Sequence, residues 1–94
     1  MPAEIAIVVP LFNEADNVRP LVEELCRVFA AETRPWEIVL VDDASQDRTW
    51  PEILAQQAAH PNVRGLRHAQ NRGQSAAVWT GIAGSTAPLI CTLD

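Results

Sequence analysis

Lysine and tyrosine are both missing from this 94-residue chain, so all seven basic residues are arginines. Against them stand twelve acidic residues, for a formal net charge of −5. An acidic chain without a basic run gains nothing from releasing the counterions of a phosphate backbone, which argues against a nucleic-acid partner. Without lysine there is no P-loop GxxxxGK[ST]. Glycine is scarce, with four residues. None follows the first apolar run, where a dinucleotide-binding GxGxxG would begin. Cys26 and Cys91 lie far apart, without CxxC or Cys/His spacing, and read as small buried hydrophobes in a reducing compartment. His60 and His68 are isolated, and neither is assigned a role. Trp36, Trp50 and Trp79 read as core or covering residues. The longest apolar stretch, Ile5 to Phe12, is interrupted by Pro10 and falls far short of the ~20 residues of a membrane span. Met1-Pro2-Ala3-Glu4 lacks the basic segment of a signal peptide. A cytoplasmic location is expected, with any contact at the cytoplasmic face of a membrane made through parts not present here.

What remains is globular in character: 48% apolar and 20% charged residues, in a length that fits one domain. Ile5-Ala6-Ile7-Val8-Val9 is continuously apolar, as suits a strand covered on both faces, and Pro10 is expected to end it. Val18, Leu21, Val22, Leu25, Cys26 and Phe29 recur at helical spacing, with Glu23, Glu24 and Arg27 opposite. Glu37 to Val41 is a second strand. Asp47 can cap a helix containing Ile53 and Leu54 that fades by His60-Pro61. Val63 to Arg67 is a weaker strand, residues 73–83 an Ala-rich helix, and Leu89 to Leu93 a fourth apolar strand. The order β-α-β-α-β-α-β implies α/β architecture, a Rossmann-like parallel sheet with flanking helices. No repeat, low-complexity tract or linker interrupts it.

In a parallel sheet the carboxyl-end loops open on one rim, where ligands bind. Here they carry Pro10-Leu11-Phe12-Asn13-Glu14, then Asp42-Asp43, then Arg67-His68-Ala69-Gln70-Asn71-Arg72-Gly73, then Asp94. Asp42-Asp43-Ala44-Ser45-Gln46-Asp47 is the most informative segment. A helix cap needs one acceptor, which Ser45 or Asp47 can supply. Capping leaves the adjacent Asp42 and Asp43, whose like charges repel, without a reason to be there. Carboxylates can accept hydrogen bonds from a nucleobase or ribose, or hold a hard divalent cation. Arg67 or Arg72 can pair with a diphosphate. Asn13-Glu14 reads equally well as a helix start. Gly73 eases a tight loop, and Gly81 and Gly84 permit close helix packing or end that helix.

Val8-Val9-Pro10-Leu11-Phe12-Asn13-Glu14, Val41-Asp42-Asp43-Ala44-Ser45-Gln46-Asp47, Arg67…Asn71-Arg72-Gly73 and Thr92-Leu93-Asp94 together resemble the family-2 glycosyltransferases. The likeness is to the branch typified by dolichyl-phosphate mannosyltransferase and bacterial polyprenyl-phosphate sugar transferases, and it runs over nearly the whole chain. It implies the nucleotide-binding half of a GT-A fold. The implied activity is inverting transfer of a hexose from a GDP- or UDP-sugar donor to a lipid-phosphate acceptor of the polyprenyl (dolichyl) type. By the same resemblance Pro10, Leu11 and Glu14 line the base pocket, Asp42 or Asp43 contacts base or ribose, and Arg67 lies near the nucleotide. Asp94 is then the first Asp of a DxD motif, contacting ribose or a Mg2+ or Mn2+ ion that neutralises the departing diphosphate. The second Asp and the family's catalytic-base and acceptor regions do not occur in these residues. Residues 1–94 are therefore expected to be one truncated, nucleotide-sugar-binding half-domain with no catalytic residue of its own and no turnover alone. Two alternatives stand beside this reading: a receiver-like phospho-acceptor signalling domain and a non-catalytic nucleotide-sugar binding module.

Overall fold

A computed structural model describes residues 2–93 of the chain. The elements follow the expected alternation: β1 (Ile5–Leu11), α1 (Ala15–Val28), β2 (Trp36–Asp42), α2 (Thr49–Ala59), β3 (Val63–Arg67), α3 (Gln74–Ala83) and β4 (Leu89–Thr92). All strand pairs are parallel, in the order β3-β2-β1-β4. The chain first steps from β1 through β2 to β3, then crosses back to place β4 on the other side of β1. The direction of strand addition reverses between β1 and β4, and a crevice opens at such a switch point beyond the strand ends.

Strand residues alternate between two cores. Ile5, Ile7, Val9 and Leu11 of β1 and Ile38 and Leu40 of β2 meet Val18, Val22 and Leu25 of α1 and Ile53 of α2. Val8, Val39 and Val41 turn to the opposite face, against Ala77 of α3. Burial on both faces explains why the two central strands are unbroken apolar runs. Each such Ile, Leu or Val withdrawn from water contributes roughly 1.5–3 kcal/mol.

Pro10 does not end β1, which continues to Leu11 with Pro10 opposite Val41. The carbonyls of Glu4 and Val8 accept hydrogen bonds from Leu89 and Leu93 of the β4 side, so every second residue of β1 turns that way. Pro10 is next in that series, and β4 pairs with β1 only as far as Val8. The ladder bond a proline cannot donate is therefore not demanded there.

The fourth strand is present as β4; it lies at the edge of the sheet that the described residues form, and Leu89, Cys91 and Thr92 are exposed. Two other expectations are corrected. Cys91 is thus no buried hydrophobe, and Cys26 is only half-buried. Trp36 and Trp50 do pack on the core, but Trp79 is 69% exposed on the outer face of α3. α3 touches the sheet through its small residues, so its largest side chain is left outside. A Cβ on Gly81 would come within 2.3 Å of Val8 Cγ1, and that closeness sets the helix–sheet distance.

Candidate functional site

The loops after β1 and β2 are stitched to each other. Asn13 N–H donates to Ser45 Oγ at 2.8 Å, and Gln46 N–H donates back to Asn13 Oδ1 at 2.9 Å. Glu14 N–H donates to Thr49 Oγ1 at 2.8 Å, and the Thr49 hydroxyl donates in turn to Asp47 Oδ1. Asp47 also accepts from the Thr49 and Ala15 N–H groups, so this one carboxylate serves the N-termini of α2 and α1. The Thr49 hydroxyl bond is the largest influence on Asp47 and holds its pKa below the usual carboxylate value. Asn13 and Ala44 take positive φ, 51° and 60°. That conformation is uncommon for residues other than glycine, and here the cross-loop bonds hold it.

Asp42 and Asp43 go to different places. Asp42, fully buried at the end of β2, accepts from Ser45 N–H through Oδ1 at 3.0 Å. Its Oδ2 lies 3.3 Å from Arg67 Nε, an ion-pair distance without hydrogen-bond alignment, and has no hydrogen-bond partner among the described residues. The Arg67 guanidinium rests over the Trp50 ring, 5.6 Å from its centroid. Asp43, 3% exposed, organises the loop from β3 to α3. Its Oδ1 meets His68 Nδ1 and Arg72 N–H, each at 2.8 Å, and its Oδ2 accepts from Gly73 N–H at 2.8 Å. Its backbone carbonyl accepts from Asn71 Nδ2. Burial, the largest influence on this carboxyl, pushes its pKa up. The bonds from His68, Arg72 and Gly73 together outweigh that and hold it below the ordinary value. A carboxylate has about four acceptor positions. Three on Asp43 are taken, which leaves one on Oδ2.

Asp43 borders a cleft of about 970 Å3 over the β1–β4 switch point. Pro10, Leu11, Glu14 and Asp43 all line it, with Asn71, Gly73 and Leu93 across from them. Four of the seven residues singled out from the sequence are thus brought together. Asp42 and Arg67 pair beside Trp50 and are not among the cleft's lining residues. Asp94, proposed from the sequence as nucleotide contact and metal ligand, lies outside the described residues. Among the described residues no three His, Cys, Asp or Glu side chains gather closely enough to hold a metal ion. They do not make a cation site by themselves. Among the same residues no helix is long and apolar enough to cross a membrane.

Sequence reasoning missed His68 and Thr49, and read Ser45 only as a cap for the following helix, whereas its Oγ accepts from Asn13 N–H. His68 is 7% exposed, with its two ring nitrogens on Asp43 Oδ1 and Thr80 Oγ1. Its place directly after β3, on the rim, was the available signal. Ser45 and Thr49 carried no such signal, because their partners lie 32 and 35 residues away.

Comparison with known proteins gives the family. The model of the family described as Glycosyl transferase family 2 matches residues 6–94. The dodecaprenyl-phosphate galacturonate synthase of Rhizobium johnstonii is 37% identical over 94 residues, 97% of this chain and 27% of that protein. The undecaprenyl-phosphate 4-deoxy-4-formamido-L-arabinose transferase of Pectobacterium carotovorum is 33% identical over 92 residues, 96% of this chain and 28% of that protein. The chain thus spans about a quarter of the length of the curated relatives it matches. Among solved structures, a mannosyltransferase from Pyrobaculum calidifontis in complex with GDP-Man and Mn2+ superposes with a TM-score of 0.71 at 26% identity. The superposition covers 96% of this chain and 26% of that one. The fold, the order of the rim motifs and these matches lead to one conclusion: the chain belongs to glycosyl transferase family 2.

Proposed function

We propose that residues 1–94 are the nucleotide-sugar-binding half of an inverting glycosyltransferase that passes a hexose to a polyprenyl phosphate. The observation that carries this reading is the cleft at the switch point, with a pre-oriented Asp43 and the partly exposed Pro10 among its lining residues. A flat heteroaromatic base can lie against Pro10 while its N–H, or a ribose hydroxyl, donates to the open position on Asp43 Oδ2. Glu14 accepts from the remaining donors at the cleft mouth.

The two rim arginines divide the remaining work. Arg67, which the resemblance puts near the nucleotide, shares its guanidinium with Asp42 and Trp50 and does not line the cleft. Arg72 is exposed, adjoins the cleft through its neighbours Asn71 and Gly73, and has no ion pair among the described residues, so its fork is free for a diphosphate. Mg2+ or Mn2+ enters the proposal only through Asp94. One carboxylate together with donor phosphate oxygens is a common way to hold such hard ions. When bound, the ion offsets charge on the departing diphosphate. The lipid-phosphate acceptor rests on what the named relatives act on.

Calorimetric titration and thermal unfolding with GDP and UDP test the reading. At a nucleotide concentration about 100 times Kd, binding adds about 2.7 kcal/mol to stability. That is a rise in unfolding midpoint on the order of 10 °C for a domain of this size. No shift and no heat with either nucleotide overturns the proposal. Sugar transfer to a polyprenyl phosphate by residues 1–94 alone overturns their assignment as a binding half.

A further inference from the structure

The buried histidine next to the cleft does more than fill space. We infer that His68 is a positioning residue for nucleotide binding: through Asp43 it fixes the orientation and ionisation of the carboxylate that the cleft presents. The inference rests on the functional reading above and extends it to a residue that does not border the cleft.

The geometry is a chain of three groups. Thr80, on α3, meets His68 Nε2 at 2.7 Å. His68 Nδ1 meets Asp43 Oδ1 at 2.8 Å. Asp43 then reaches the cleft. Asp43 is ionised and accepts only, so Nδ1 carries the proton that is shared with it. Nε2 either accepts from the Thr80 hydroxyl or, in the imidazolium, donates to it. Thr80 can serve both forms, so the contact with Asp43 survives either protonation state.

The surroundings leave the imidazole few other duties. His68 N–H already donates to the Asp42 carbonyl, which fixes the backbone in register with the end of β2. α3 carries no titratable side chain, and the adjoining charged residues Arg67 and Arg72 are exposed, Arg67 being turned to Asp42 and Trp50. Among the described residues Asp43 is the one ionisable side chain bonded to the ring. The Arg72 and Gly73 N–H groups approach Asp43 from the loop, whereas His68 approaches from the α3 side. Loop donors alone leave the carboxylate free to swing with the loop. The imidazole, held by α3 through Thr80, ties it to the sheet–helix framework.

Three variants of the full chain, His68→Phe, His68→Gln and Thr80→Val, test this. The readouts are GDP and UDP affinity from pH 4 to 8 and the pH titration of the Asp43 carboxyl carbon by NMR. His68→Phe is expected to weaken binding about tenfold or more, the worth of one charge-assisted hydrogen bond. It is also expected to move the Asp43 titration and the acid limb of nucleotide affinity to higher pH. His68→Gln keeps an N–H donor, and is expected to restore most of the affinity and the wild-type acid limb. Thr80→Val leaves the Asp43 contact in place and falls between the two. A merely structural histidine lowers the unfolding midpoint in His68→Phe while leaving the Asp43 titration and the acid limb where they were; that result overturns the inference. Equal titrations in wild type and His68→Phe overturn it whether or not nucleotide binds. Wild-type protein that binds neither nucleotide overturns the functional reading instead, and the Asp43 titration still decides the positioning of the carboxylate.

Discussion

At the scale of single residues, identical side chains have been given different work by what surrounds them. Arg67 and Arg72 stand five positions apart, yet one guanidinium is held by Trp50 and Asp42 and the other has no ion pair among the described residues. Arg72→Gln is therefore expected to weaken GDP or UDP binding by about tenfold, by loss of one charge-assisted pair, and to leave binding of the uncharged nucleoside unchanged. Titration with GDP and guanosine in parallel separates the two, and an equal loss for both ligands would refute the assignment. Glycines are divided in the same way. Gly73 is needed for its φ of 97°, with open space where a Cβ would stand. Gly81 is needed for the absence of a Cβ, because Val8 and Val41 press on that point at 2.3 and 3.2 Å. Gly81→Ala is expected to destabilise the fold by about 1–3 kcal/mol, as overpacking does, in spite of alanine's better helix propensity. Chemical denaturation decides the sign, and a variant as stable as wild type would show that α3 can slide away from β1.

At the scale of elements, α1 begins without a cap of its own. Its N-cap position, Glu14, makes no side-chain capping bond, and the N–H groups of Asn13, Glu14 and Ala15 that lead into it are met instead by Ser45, Thr49 and Asp47 from the neighbouring loop. The starts of α1 and α2 are one polar unit built from two distant segments. Thr49→Val keeps the shape but removes the hydroxyl that accepts from Glu14 and donates to Asp47. The cost is expected to be about 1–2 kcal/mol, that of a lost cap and an unsatisfied buried group. Amide exchange should quicken at Glu14, 35 residues away, and at its neighbour Ala15, and exchange confined to α2 would show that the stitching carries no energy. The same unit marks the limit of what could be read from the sequence. The alternation of strands and helices was legible because apolar period is local: Ile5 to Val9 and Ile38 to Val41 announce buried strands from their own composition. Pro10, Leu11, Glu14 and Asp43 were legible as rim residues because parallel strands put their carboxyl ends together. Thr49 was not, because nothing near it in sequence says which N–H it will meet. The extension of β1 through Pro10 was hidden too, since it depends on where β4 stops pairing.

At the scale of the whole molecule, the acidic chain carries part of its stability in carboxylates that must stay ionised. The Arg34 side chain, the largest influence on the half-buried Glu32, brings its pKa down to about 2. Asp47 is lowered by the Thr49 hydroxyl, and Asp43 by its bonds to His68, Arg72 and Gly73 in spite of its burial. In each case the folded pKa lies below that of the unfolded chain, near 4. Between the two values the unfolded state binds more protons, so stability rises with pH across that window. The contribution is complete above about pH 5 and is lost as the pH falls through the folded values. The thermal midpoint is thus expected to be level from pH 7 to about 5 and to drop steeply below about pH 4. The three groups should not share the slope equally. Glu32 and Arg34 form a solvent-screened surface pair of small net worth, whereas Asp43 is buried and bonded on both oxygens. Asp43→Asn should lower stability at neutral pH by about 1–3 kcal/mol, the cost of disturbing a buried hydrogen-bonded group, and flatten the acid limb. Glu32→Gln should leave both nearly as they were. Unfolding midpoints of the three proteins between pH 3 and 7 measure this directly. An acid limb as steep in Asp43→Asn as in wild type would place the acid sensitivity elsewhere and remove Asp43 as the carboxylate that ties β2 to the loop before α3.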